Sequence, residues 1–226
     1  AGALIQKLKD TQGDNILAAA GCIADAFTNG GILQAFGSGH SFAGAIELCH
    51  RAGGFVPTKA IKEPAGGMYE SVPGVGEIFL KRVDIRENDV VFVISNSGRN
   101  PLPLEIACQA KERGAKVVAV TSVEASKKLT SKHKSGKRLF EIADVVIDNQ
   151  APDGDASITL EGLDTAICGM SSITTAVALQ SVVLEAAKIL LSRGATPPFF
   201  KSQNIDGGEQ YNEALIQKYS DRLFHM

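Results

Sequence analysis

A surplus of basic residues is missing from this chain: 23 Lys and Arg stand against 25 Asp and Glu, for a formal net charge of −2. Nucleic-acid binding leaves a footprint of clustered positive charge, so no DNA or RNA partner is expected. The densest basic stretch holds Lys127, Lys128, Lys132, Lys134, Lys137 and Arg138. It reads as a solvated loop or as the rim of a pocket for an anion. No apolar run approaches the ~20 residues of a membrane helix, so no membrane partner is expected. Lys7, Lys9 and Asp10 interrupt the apolar residues at the start, which argues against a signal peptide there. Cysteines are few: Cys22, Cys49, Cys108 and Cys168, with no CxxC and no Cys/His pair at ligand spacing. Buried thiols, a reducing cytoplasm and no metal are the expectation.

What is present is an alternation of helical and strand patterns. The 226 residues suit one domain. Ile16, Leu17, Ala20, Ile23, Ala24 and Phe27 repeat at helical spacing until Asn29-Gly30-Gly31 stops them. A strand at 32–36 runs into Gly37-Ser38-Gly39-His40-Ser41, and a helical pattern from Ala45 to Ala52 follows. The stretch 55–86 is irregular and punctuated by Pro and Gly. The first pattern then returns. An unbroken apolar run at 90–94, typical of a strand buried on both faces, leads into Ser95-Asn96-Ser97-Gly98-Arg99-Asn100, and a helix starts near Pro101. Further strands are expected at 116–120 and 145–147, a short helix from Thr121-Ser122 to about Leu129, a long apolar helix at about 170–191 and a terminal helix from about Glu209. Alternation with short connections implies a parallel sheet with right-handed crossovers.

Both Gly/Ser loops stand at strand-to-helix junctions, where ligands of open α/β sheets bind. A helix N-terminus has unpaired N–H groups and partial positive charge. Glycine lets the backbone approach an oxyanion, and serine adds uncharged donors. Ser38, Ser41, Ser95 and Ser97, with loop amides around Gly39, Asn96 and Gly98, suffice to wrap a phosphate without Lys or Arg. A dinucleotide fingerprint is not complete, because Phe42 stands where the third glycine belongs and no acidic residue follows at the required distance. Neither loop has a Walker lysine. No nucleotide cofactor is expected.

With those residues in view, a family resemblance emerges. The stretch 35–41, Ala-Phe-Gly-Ser-Gly-His-Ser, resembles the first phosphosugar loop of the SIS (sugar isomerase) fold, and 93–100 resembles its second, S-x-S-G-x-[TN]. The resemblance covers about 15–192 and the tail around 204–212, and is nearest to stand-alone sugar isomerase domain proteins labelled as phosphoheptose isomerases. N-acetylmuramic acid 6-phosphate etherases are more distant. It implies a single domain over 1–226 with a helical tail at 193–226. The implied fold is an α/β three-layer sandwich, a five-stranded parallel sheet between helices with flavodoxin-like winding. It also implies a homodimer or homotetramer, no cofactor, and phosphate held by Ser41, Ser95, Ser97 and the side chain of Asn100.

Isomerisation through an enediol needs a base beside a carbonyl and an acid that moves protons between oxygens; an etherase-like elimination needs a similar pair, and a sensor needs neither. Glu63 is the first candidate base, in the irregular Lys62-Glu63-Pro64 stretch, where glucosamine-phosphate synthases and the etherases resembled here carry a glutamate near the sugar. Glu47 follows the first loop, but phosphoheptose isomerases place their carboxylate four residues on, where Arg51 stands here. Glu185 lies in the apolar helix at about the place of a histidine in those enzymes. His40, in the first loop, is a candidate to touch the ligand. His133 reads as surface, and His50 and His225 as uninvolved.

Overall fold

The computed structural model describes residues 1–224; His225 lies outside the described residues. Five strands form the main sheet: β1 (Leu33–Gly37), β2 (Thr58–Ile61), β3 (Val90–Ile94), β4 (Lys116–Thr121) and β5 (Val145–Asp148). All neighbours are parallel, in the order β2-β1-β3-β4-β5. This is the flavodoxin-like winding, whose ligand crevice opens where β1 and β3 part at their carboxyl ends.

Helices cover both faces: α1 (Gly2–Thr11), α2 (Gly13–Thr28), α3 (Phe42–Leu48), α4 (Val75–Phe79), α5 (Pro101–Glu112), α6 (Val123–Lys127), α7 (Ser171–Ser192), α8 (Gly208–Gln217) and α9 (Ser220–Leu223). Side chains alternate across a strand, and β3 shows the consequence. Val90, Phe92 and Ile94 enter a core with Ile23 of α2, Leu48 of α3 and Leu179 of α7. Val91 and Val93 enter the opposite core with Leu104 and Ile106 of α5 and Leu139. Three layers result.

Several local expectations are corrected. The first-loop helix stops at Leu48 rather than near Ala52, because Cys49 turns extended and His50 takes a φ of +53°. β2 falls in the stretch read as irregular. An antiparallel hairpin of β6 (Ala156–Ile158) and β7 (Ile167–Gly169) precedes α7. Cys49 is buried, but Cys168 is exposed, because it stands in that outlying hairpin. α7 is long and apolar enough to cross a membrane, with a mean hydropathy of 1.5 over its most apolar 18 residues. Its Ala178, Leu179, Val182, Ala186 and Leu190 instead fill the core, packed against α1, α2 and α3.

The C-terminal segment is fastened at two places. The Val56 N–H donates to the Pro198 carbonyl and the Phe200 N–H to the Gly54 carbonyl, and Phe55 stacks on Phe199 at 4.3 Å. Below the sheet, Arg222 of α9 donates from Nη2 to both oxygens of Asp89, at 3.0 and 2.8 Å. Asp89 also accepts the Ile32 N–H and the Gln34 amide, so it ties the starts of β1 and β3 to the tail.

Candidate functional site

β1 and β3 pair in register, Gly37 opposite Ile94, so the two Gly/Ser loops leave the sheet at one height. In the first loop a Cβ on Gly37 would overlap the carbonyl oxygen of Ser41, which admits only glycine. Gly39 takes a φ of +55° and a short 3-10 turn leads into α3. In the second loop Gly98 takes +56°, and a Cβ there would stand 2.9 Å from Thr121 Oγ1. The basic stretch grips this loop from outside, since Lys132 N–H donates to the Arg99 carbonyl and Leu139 N–H to the Gly98 carbonyl.

Glu63 is brought to the first loop and buried there, 4% exposed. The Ser38 hydroxyl donates to Glu63 Oε2, and the Tyr69 N–H donates to Oε1 at 2.8 Å. Glu63 and Lys62 border a cavity of about 190 Å³ with Gly37, Gly39, Phe42 and Gly67. Ser38 is thus engaged with the carboxylate, a role its assignment as a phosphate contact did not foresee. Ser95 is also turned inward, its Oγ accepting the Gly98 N–H at 3.3 Å and so shaping the loop from within. Ser97 and Asn100 are half-buried at the entrance to α5.

On the other side of the first loop, His40, Ser41 and Asn96 border a space of about 10 Å³ with Asn149, Ser171 and Thr175. Asn149 Nδ2 donates to Asn96 Oδ1 at 3.1 Å and to Thr175 Oγ1 at 3.2 Å, joining the second loop to the end of β5 and the start of α7. These partners were missed. Their one signal was position: Asn149 directly follows a strand carboxyl end, and Ser171 and Thr175 lie in the first turns of a helix.

Two candidate carboxylates are not brought to the loops. Glu47 pairs with Arg51 and accepts Gln180 Nε2 at 2.8 Å, on a surface shared with His50. Glu185 pairs with Lys188 at 2.6 Å in the groove between α7 and the N-terminal helices. It lies roughly 21 Å along α7 from Ser171. His133 is buried, not on the surface, because a tight turn folds it inward with Nδ1 on Ser135 Oγ at 2.8 Å. His40 is exposed at the rim. Among the described residues no group of three His, Cys, Asp or Glu side chains is arranged to hold a metal ion.

Comparisons with known proteins bear on the family and the fold. The SIS domain family model matches residues 1–122. The UPF0309 protein lmo0025 of Listeria monocytogenes is 49% identical over 223 residues, 99% of this chain and 95% of the relative. A UPF0309 protein of Geobacillus thermodenitrificans is 41% identical over 219 residues, 93% of this chain and 88% of the relative. Among solved structures, the phosphoheptose isomerase GmhA of Neisseria gonorrhoeae superposes with a TM-score of 0.57 at 17% identity, over 82% of this chain and 92% of that one. A phosphoheptose isomerase of Francisella tularensis gives 0.56 at 18%, with the same coverage of 82% and 92%. At such identities the shared property is the fold.

Proposed function

The chain belongs to the SIS domain family, and from that premise we propose that it binds a sugar phosphate between its two Gly/Ser loops and isomerises it through an enediol. The Ser38–Glu63 hydrogen bond carries this reading: it joins a loop at the β1/β3 crevice to a buried carboxylate. Phosphate takes Ser41, Ser97, Asn100 and the first N–H of α5, that of Leu102, where the helix dipole favours an anion. The sugar then extends toward the cavity that Glu63 borders. Glu63 takes the proton from the carbon beside the carbonyl and returns it to the neighbouring carbon. His40 moves the second proton between the two oxygens. Both proton transfers are redox-neutral and no group leaves. Loop hydroxyls read the phosphate and not the sugar, so amino and N-acetylamino sugar phosphates fall within this reading.

A second reading is a sugar-phosphate sensor without turnover. It is favoured by one observation: both oxygens of Glu63 are already held, by Ser38 and by the Tyr69 N–H. Thermal shifts with hexose, heptose and amino-sugar phosphates, followed by exchange into deuterated water with each hit, separate the two. Exchange at the carbon beside the carbonyl marks the isomerase, and stabilisation without exchange marks the sensor. Ser97→Ala should weaken binding by about 1–3 kcal/mol, the worth of a hydrogen bond to a charged group. Equal affinity for a sugar and its phosphate sinks both readings.

Two further points belong to this reading. A homodimer or tetramer would cover Ile173 and Leu184 on the outer side of α7, which are 41% and 56% exposed; a monomer by light scattering at micromolar concentration counts against it. A reducing cytoplasm suits four unpaired thiols, and fractionation of the source cells tests that.

A further inference from the structure

The segment between β2 and α4 lies across both loops. At the first loop, a Cβ on Gly67 would stand 2.8 Å from the Gly39 Cα, and Glu63 holds Ser38. At the second loop, Asn100 Nδ2 donates to Glu70 Oε1 at 2.8 Å, and the Leu102 N–H donates to the Glu70 carbonyl oxygen at 3.2 Å. Pro101 opens α5 and has no N–H, so Leu102 presents the first amide of that helix. Asn100 and this amide are donors that the proposed function assigns to phosphate. Glu70 occupies them with one side chain and one carbonyl.

The segment is anchored at its ends and exposed in its middle. Glu63 is buried at one end. At the other, Glu105, itself buried, accepts the Gly74 and Gly76 N–H groups at 2.6 Å each. Between these anchors Gly66 and Gly67 take φ of +65° and +109°, and Gly74 at the far anchor takes +84°, conformations glycine adopts without strain. Met68, 80% exposed, and the exposed Tyr69 and Val72 stand between them. Stretches with few buried apolar contacts open at low free energy.

We propose that Glu70 is an internal competitor for the phosphate site: its carboxylate and carbonyl hold Asn100 and the first amide of α5 until a phosphate displaces them. A carboxylate and a phosphate repel at one helix N-terminus, so binding drives the 66–73 segment outward about its glycines. The movement has a second effect. It draws the Tyr69 N–H away from Glu63 Oε1 and leaves that oxygen free to accept a proton. Phosphate then unlocks the base as well as anchoring the sugar. This inference rests on the proposed sugar-phosphate site.

The test uses inorganic phosphate as the probe, titrated calorimetrically at fixed ionic strength into the full chain, Glu70→Gln and Ser97→Ala. Glutamine keeps an oxygen for Asn100 and removes the charge. Glu70→Gln should bind phosphate about tenfold more tightly, roughly 1.4 kcal/mol, and Ser97→Ala more weakly than the unaltered chain. Unchanged or weaker binding by Glu70→Gln, with Ser97→Ala still impaired, overturns the competitor and leaves the phosphate site standing. No binding by any of the three overturns both. Hydrogen exchange in the unaltered chain supplies a reading that survives a variant that fails to fold. Saturating phosphate should speed exchange over residues 66–73, and slower or unchanged exchange there overturns the proposal.

Discussion

The Ser38 hydroxyl donates to Glu63 Oε2 across 25 residues of sequence, and this bond is buried. It fixes a carboxylate against a loop in which Gly37 has no room for a side chain.

Glu63→Gln should therefore cut turnover by ~10²–10⁴, the usual worth of a general base, while phosphate-dependent binding stays within about tenfold. Glutamine can still accept the Tyr69 N–H through its oxygen and donate from its amide nitrogen to the Ser38 hydroxyl, so the fold should hold. Exchange into deuterated water, measured beside phosphate affinity, checks both halves. Near-normal exchange by Glu63→Gln rules Glu63 out as the base.

Arg222 is 8% exposed and its partner Asp89 is 1% exposed. Arg222→Ala leaves a buried carboxylate short of its cation, which should cost about 3–5 kcal/mol. The urea midpoint should fall with little dependence on salt, because buried pairs are weakly screened. A loss below about 1 kcal/mol would show that the tail does not fasten the sheet.

Asp144 supplies a pH dependence. Burial pushes its carboxyl up, but the Lys111 ammonium at 2.8 Å, the Val117 N–H at 2.9 Å and Lys116 outweigh that and hold it below the ordinary aspartate range. The folded chain then binds this proton less readily than the unfolded chain does. The contribution is fully present above the unfolded value of about 4 and is lost as pH falls through the depressed folded value. Asp144→Asn should melt below the parent at pH 7, and the gap should narrow toward pH 3. A gap of constant width would contradict the assignment.

Thiol reactivity should follow burial. Burial pushes Cys49 up to about 12, only partly offset by Thr58, whereas Cys168 is exposed on the hairpin. Since the thiolate is the nucleophile, alkylation of the native chain at pH 8 should mark Cys168 early and Cys49 only on unfolding. Peptide mass spectrometry reads the order, and equal rates at the two sites would refute it.

Parts of the fold whose signals are local can be read along the chain. The apolar run of β3, the loop from Ser95 to Asn100 and Pro101 at the start of α5 are contiguous, so one window shows strand, ligand loop and helix together. β1 and its loop repeat the pattern. β2 was not legible as a strand, because four residues on the sheet edge with a half-buried Lys59 and Ala60 make too short a pattern. Tertiary structure alone chose among the carboxylates. Glu47, Glu63 and Glu185 all stand in segments that a sequence can attach to a site, but packing gave Glu47 to Arg51 and Glu185 to Lys188, and carried Glu63 under the first loop. The same holds for Glu70 on Asn100, 30 residues apart, and Asn149 on Asn96, 53 apart. Such meetings arise because crossover connections return each strand end to one edge of the sheet. The order β2-β1-β3-β4-β5, and not any spacing along the chain, decides which side chains face one another there.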